Sequence, residues 1–102
     1  MNSKLKDNSV DFLFKSILAL ETMQECYDFF EDLCTFNELL SLSQRFEVAA
    51  MLKSGTTYLE IAKKTGASTA TISRVNNCFK KKDDEDDNIC GYEMVLDRLK
   101  KE

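Results

Sequence analysis

The sequence predicts an all-α fold built around a helix-turn-helix. Proline is absent and glycine occurs only three times in 102 residues, so few positions interrupt a helix. Apolar residues recur at spacings of three and four along most of the chain, which is the period of a helix. No stretch sustains the alternation that is typical of a strand. The length corresponds to one domain, and we expect a single domain over residues 1–102.

The N-terminal part, residues 1–42, is predicted to hold dimerisation helices. One helix is expected from Asn8 or Ser9, whose side chains favour N-cap positions, to about Leu20. A second begins after Thr22, with a glutamate three residues later that completes a capping box. Both carry wide apolar faces, which so small a domain covers poorly by itself. The alternative is that these helices cover the domain's own core.

Two further helices are expected before the helix-turn-helix. A short one lies near Asn37–Leu42, and Ser43 is the candidate N-cap of a second one at Gln44–Lys53. Gly55 follows as a candidate left-handed residue that ends this helix. The inner side of the second helix is predicted to carry Phe46, Ala49, Ala50 and Leu52.

The segment from Tyr58 to Asn77 has the pattern of a helix-turn-helix. Counting from its first residue, alanine occupies the fifth position, where two helices cross closely, and glycine the ninth, where the turn needs a positive φ angle. Thr57 is expected to cap the first helix, and Ser68 or Thr69 the second. An ordinary helical hairpin is the alternative. The apolar residues expected to face the core are Ile61, Ile72 and Val75.

Charge is segregated along the chain in a way that favours DNA binding by the same segment. The net charge is −4, but residues 41–82 carry +6 and the segments on either side carry −5 each. A local basic face attracts DNA because neutralising phosphates releases counterions. We therefore predict a DNA-binding head at 43–82, an acidic linker at 83–88 and a C-terminal helix within 89–102. The candidate DNA-binding residues are Thr57, Tyr58, Lys63, Ser68, Thr69, Ala70, Ser73, Arg74, Asn77 and Lys80.

Composition argues against several other classes of protein. Histidine, the usual general base near neutral pH, is absent, so an enzyme is not expected. The four cysteines form no C-x-x-C pair, so we predict free thiols and no metal site. No apolar run is long enough to cross a membrane, and the N-terminus lacks the apolar core of a signal peptide. We expect a cytoplasmic protein.

Three stretches resemble a known family. Residues 70–77 look like the recognition helix of the tryptophan repressor, and residues 45–55 resemble the helix that precedes its helix-turn-helix. With the ending at residues 91–99, the chain is similar to the Trp-repressor-like proteins of the YerC/YecD family, in the tryptophan repressor superfamily. The resemblance implies about six helices and two chains that intertwine as a two-fold homodimer. The DNA-binding heads of the two chains would lie about one DNA turn apart.

The resemblance also implies where a ligand pocket would lie. The two arginines that contact tryptophan in the repressor correspond to Arg45 and Arg74, and a nearby threonine in its recognition helix corresponds to Thr71. Val75 stands where the repressor has a glycine beside the indole ring, and Cys78 where it has a serine. The loop between the two helix-ending glycines is also one residue shorter. Tryptophan is therefore not expected as corepressor and no cofactor is predicted, while another small-molecule corepressor stays open.

The predicted function is sequence-specific regulation of transcription by a homodimer that binds double-stranded DNA. By family likeness, the expected sign of regulation is repression. The alternative is a helical protein-interaction module that has lost specific DNA reading, because the acidic ends and the overall negative charge also suit such a role.

Overall fold

The computed structural model describes residues 7–80 and 89–100, and all regular structure within them is helical. This part of the chain contains no strand. The all-α fold with six helices is therefore confirmed. The predicted acidic linker at 83–88 lies outside the described residues. The helices are α1 (Asn8–Leu18), α2 (Met23–Leu33), α3 (Phe36–Lys53), α4 (Tyr58–Thr65), α5 (Thr69–Lys80) and α6 (Gly91–Lys100).

The first helix differs from the prediction at both ends. Its N-cap is Asp7, rather than Asn8 or Ser9, because the Asp7 carboxylate accepts a 2.8 Å hydrogen bond from a backbone N–H in the first turn. The helix ends at Leu18 instead of Leu20. The next two N–H groups bond to carbonyls only three residues back, which tightens and closes the last turn.

α2 begins as predicted, whereas α3 does not. Thr22 caps α2 through a 3.1 Å bond. The helices expected at 37–42 and 44–53 form one continuous α3, so the prediction of an N-cap at Ser43 is wrong. The cause is an earlier capping box: the Thr35 hydroxyl accepts from the Glu38 N–H (3.1 Å) and the Glu38 carboxylate accepts from the Thr35 N–H (2.8 Å). No glycine or proline lies between this box and residue 53 to stop the helix.

The chain divides into two compact units, residues 1–39 and 40–102. In the first unit, neither α1 nor α2 has a buried residue. The exposed fraction reaches 84% for Leu18 and 74% for Phe12. The amphipathic faces expected from the sequence are thus present but largely open within one chain. The other large apolar residues of this unit that are exposed are Phe14, Met23, Tyr27, Leu33 and Phe36.

The second unit contains the buried core, which α3, α4 and α5 share. Ile61, Ile72 and Val75 are buried as predicted. On α3 the buried residues are Val48 and Ala49, and the predicted inner residues Phe46, Ala50 and Leu52 are only partly buried. Ala49 is thus buried as predicted and Leu52 packs against the core, whereas the burial of Val48 was not predicted. The buried residues of the core are Val48, Ala49, Ile61, Ala67, Ile72 and Val75.

α6 packs on the same core through Tyr92 and Leu96. Lys53 at the end of α3 forms ion pairs with Glu93 (3.3 Å) and Asp97 (3.2 Å), one turn apart on α6. The hydrogen bond to Asp97 is the largest cause that raises the pKa of Lys53 above its ordinary value, against the opposing effect of desolvation. Within the described residues, no helix combines the length and the apolar character that a membrane span requires.

Candidate nucleic-acid interface

Gly55 follows the end of α3 and precedes the helix-turn-helix, which begins with α4 at Tyr58. This glycine has a φ of 83°, its N–H bonds to the Leu52 carbonyl (3.0 Å), and the next N–H, of Thr56, bonds to the Met51 carbonyl (3.0 Å). This pair of bonds is a Schellman motif, which satisfies carbonyls that would otherwise lack partners at the end of the helix. Gly55 is thus the left-handed residue that ends α3, as predicted.

α4 has both predicted end signals. The Thr57 hydroxyl accepts a 3.3 Å hydrogen bond from the Glu60 N–H and so caps the helix. At the other end, Gly66 has a φ of 75° and its N–H bonds to the Ala62 carbonyl (2.9 Å). A residue with a side chain rarely adopts this left-handed conformation, so glycine makes the tight turn between α4 and α5 accessible.

A small polar cluster, which was not expected from the sequence, holds this turn. The Thr65 hydroxyl donates to the Ile61 carbonyl (2.8 Å) and accepts from the Ala67 N–H (3.1 Å). The Gln44 side-chain amide, on α3, donates to the Thr65 carbonyl (3.0 Å). A hydroxyl directly before a left-handed glycine is a signal that sequence inspection can find. Gln44 lies 21 residues away and gives no local signal.

α5 starts with Ser68 as its cap, which decides between the two predicted candidates. The Ser68 hydroxyl accepts from the Thr71 N–H (3.1 Å) and donates to the Thr71 hydroxyl (3.1 Å). Both side chains are thereby held at the beginning of the helix. The backbone N–H groups of the first turn point out of this end, which is an arrangement that suits a phosphate oxygen.

The structure leaves the predicted DNA-binding residues accessible. Nine of the ten are exposed and one, Ser73, is partly buried. On α5 the exposed Ala70, Arg74 and Asn77 are spaced three and four residues apart, so they share one side of the helix. The opposite side carries the buried Ile72 and Val75. One helix thus packs on the core with one face and presents small, polar and basic side chains with the other.

The residues of the implied ligand pocket occupy different environments. Arg45, Thr71 and Cys78 are partly buried, and Arg74 is exposed. Val75 is only 2% exposed and belongs to the core, so its side chain fills space between α5 and its neighbours. A groove that the structure does show in this unit lies elsewhere, between the end of α3 and α6. Its lining is Ala50, Lys53, Ser54, Leu96, Leu99 and Lys100.

The end of α5 meets the start of α6 around Cys78. Partial burial raises the pKa of Cys78 to about 11, and the hydrogen bond with Cys90 is the second largest cause of this increase. The backbone N–H groups of residues 91 and 92 lower the pKa, but by less. The rings of Phe79 and Tyr92 stack beside this contact, with centroids 6.4 Å apart. All four cysteines are free thiols, as predicted.

This environment predicts a loss of stability at alkaline pH. In the unfolded chain the thiol of Cys78 ionises near its ordinary pKa of 9.0, whereas in the folded protein it stays protonated to about 11. Between these values the folded state binds more protons than the unfolded state, so the free energy of unfolding falls as the pH rises. Thermal unfolding below pH 9 and near pH 11 should therefore show a smaller decrease in Cys78→Ala than in the unmodified protein. Equal decreases would contradict this prediction.

Comparisons with known proteins agree with the predicted resemblance. The family model described as Trp repressor protein matches residues 8–100. The chain is 55% identical over 97 residues to the uncharacterized protein YerC of Bacillus subtilis (strain 168). The aligned residues cover 95% of this chain and 88% of YerC.

Two solved structures share the fold at high identity. A TrpR-like protein from Eubacterium eligens ATCC 27750 superposes with a TM-score of 0.84 at 58% identity, over 96% of this chain and 95% of that chain. A Staphylococcus aureus structure, named after the Trp repressor, superposes with a TM-score of 0.85 at 50% identity, over 100% of this chain and 97% of that chain. The likeness therefore extends through nearly the whole length of each of these proteins.

Proposed function

The chain belongs to the Trp repressor family, and we propose that it binds double-stranded DNA through α4 and α5 as a sequence-specific regulator of transcription. The observation that carries this proposal is that α5 is amphipathic. Its buried face anchors the helix on the core, and its other face presents Ala70, Arg74 and Asn77 to solvent. The name of the family makes repression the expected sign of regulation.

The order of side chains along α5 suits entry into the major groove. The first turn carries the small Thr69 and Ala70, which let the end of the helix approach base edges closely. Arg74 follows one turn later and can bind a guanine edge or a phosphate. Lys63 on α4 and Lys80 at the end of α5 are exposed and suit phosphate contacts on either side.

We propose that the functional form is a homodimer joined through the first unit. α1 and α2 bury no residue within one chain, although they carry large apolar side chains. Exposed apolar surface of this extent is unfavourable in water, and a second copy would cover it. A two-fold dimer would present two copies of α5 to successive turns of the DNA major groove.

The dimer proposal predicts that a charge on α1 disrupts assembly. Phe12, 74% exposed in one chain, would lie in the shared apolar interface, where the carboxylate of Phe12→Asp would be desolvated without a partner. Analytical ultracentrifugation should show monomers or unfolded chains at concentrations at which the unmodified protein is dimeric. Ser9→Asp places the same carboxylate on an exposed polar position of α1 and should leave the dimer intact. A Phe12→Asp dimer of unchanged affinity would contradict the proposed interface.

We further propose that DNA binding does not require tryptophan. Val75 is 2% exposed and is packed in the core, on the helix that would line the pocket. Its branched side chain takes the space that the resemblance assigns to the indole ring. The Thr71 hydroxyl is in addition engaged with Ser68 at the helix start, which reduces its availability to a ligand.

Selection from a library of randomised duplex DNA tests the proposed function directly. We expect enrichment of a two-fold-symmetric motif, an affinity that falls steeply with salt, and the same motif with or without added tryptophan. Binding without enrichment would contradict sequence-specific reading. No binding at low salt would instead favour the protein-interaction module. A motif that appears only with tryptophan would overturn the proposed independence of that ligand.

A further inference from the structure

Gln44 connects α3 to the turn of the helix-turn-helix. Its side-chain amide Nε2 donates a 3.0 Å hydrogen bond to the carbonyl oxygen of Thr65, the last residue of α4. The last carbonyls of a helix lack partners within the helix, so an external donor at this place satisfies a group that would otherwise need water. The bond is partly buried and joins residues 21 positions apart.

The accepting residue is itself held on both sides. The Thr65 hydroxyl donates to the Ile61 carbonyl in α4 (2.8 Å) and accepts from the N–H of Ala67 (3.1 Å), just beyond Gly66. A hydrogen bond is directional, whereas apolar contacts tolerate small shifts and rotations. The polar cluster therefore restrains the direction in which the chain leaves α4 and enters α5.

We infer that Gln44 is a positioning residue for DNA reading, which acts through Thr65 to hold α5 at the angle that operator recognition requires. The inference rests on the proposed function, since it assigns a role within that same interface. Gln44 itself need not touch DNA. Base readout depends on hydrogen-bond geometry at the base edges, whereas phosphate attraction is less sensitive to angle. A loosened turn should thus reduce specificity more than non-specific affinity.

Two substitutions separate the hydrogen bond from simple packing. Gln44→Met keeps the length of the side chain but removes the donor, and Gln44→Asn keeps the amide but shortens its reach by one methylene. If Gln44 only filled space, the methionine variant would behave like the unmodified protein. The matched control is Gln24→Met, because Gln24 also donates a side-chain bond, to Asp28 (2.9 Å), but in an exposed position on α2.

The measurement is the ratio of dissociation constants for random DNA and for the operator selected by the unmodified protein. Both Gln44 variants should lower this ratio about fivefold or more, as expected for the loss of one partly buried hydrogen bond. The dependence of random-DNA affinity on salt should not change, because no phosphate contact is lost. Circular dichroism should show an unchanged helix content, and the NMR signals of the Gly66 and Ala67 amides should shift in the free protein. The Gln24→Met control should leave both the ratio and these signals unchanged.

The outcomes distinguish the two proposals. If the unmodified protein selects no sequence, the proposed function fails and the positioning role fails with it. If it selects an operator and both Gln44 variants keep the ratio, only the positioning role is overturned. If one of the two Gln44 variants fails to fold, the other still tests the positioning role. Gln44→Met removes the donor of the hydrogen bond to Thr65, whereas Gln44→Asn keeps the amide and shortens its reach.

Discussion

Replacing Ile61 by alanine is expected to lower the free energy of unfolding by about 2–5 kcal/mol. Ile61 is fully buried, at 0% exposure, and lies on α4 within the core that it shares with α3 and α5. The substitution removes three carbon atoms and leaves a cavity that rigid neighbouring helices cannot fill. Urea unfolding should show a lower midpoint with an unchanged m-value. A loss of this size is a large part of the stability of a small domain.

Leu59→Ala is the matched control for this prediction. Leu59 lies two residues earlier on the same helix and is 78% exposed, so its truncation should change the stability by no more than about 0.5 kcal/mol. If both substitutions destabilise the protein equally, the assignment of the inner face of α4 is wrong. The pair thus tests the orientation of α4, independently of DNA.

Arg74→Ala is expected to weaken DNA binding about 10- to 100-fold, which corresponds to about 1–3 kcal/mol for a bidentate contact. The Arg74 side chain is exposed on α5, whereas the adjacent Val75 is buried in the core. Because an exposed side chain contributes little to the core, Arg74→Ala should leave the free energy of unfolding nearly unchanged. Fluorescence anisotropy against the selected operator and against random DNA provides the measurement. A phosphate contact would reduce the salt slope by about one, whereas a base contact would mainly reduce specificity.

The control for Arg74 is Arg98→Ala, which removes an exposed arginine from α6 in the same unit. Both substitutions remove one positive charge, so any difference between the two variants reports the location of the charge and not the total charge. Arg98→Ala should change DNA affinity much less than Arg74→Ala. Equal losses in the two variants would mean that α5 does not hold the reading face.

The helix-turn-helix was predictable because its signals are local. Thr57 and Gly66 act on backbone groups within four residues of themselves, and the structure places both as expected. The spacing of Ile61, Ile72 and Val75 reports which sides of α4 and α5 are apolar, and all three residues are buried. Local hydrogen bonding and helical periodicity are sufficient for such predictions.

The errors on α3 and α1 arose where two local signals competed. Ser43 is a good N-cap residue, but the capping box formed by Thr35 and Glu38 starts the helix earlier, and no breaker follows it. Similarly, Asp7 takes the cap that Asn8 and Ser9 could also have provided. Which of several adjacent caps is used depends on how the whole helix is held, so a single residue type does not decide the boundary.

The sequence by itself determined the all-helical architecture, the position of the helix-turn-helix and the basic character of residues 41–82, because each depends on residues close together in the chain. Only the tertiary structure decided that α3 presents Val48 to the core, that burial raises the pKa of Cys78, and that Gln44 reaches the Thr65 carbonyl. These features join residues on different helices. Their contacts depend on the rotation and packing of each helix, which the helical period alone does not specify.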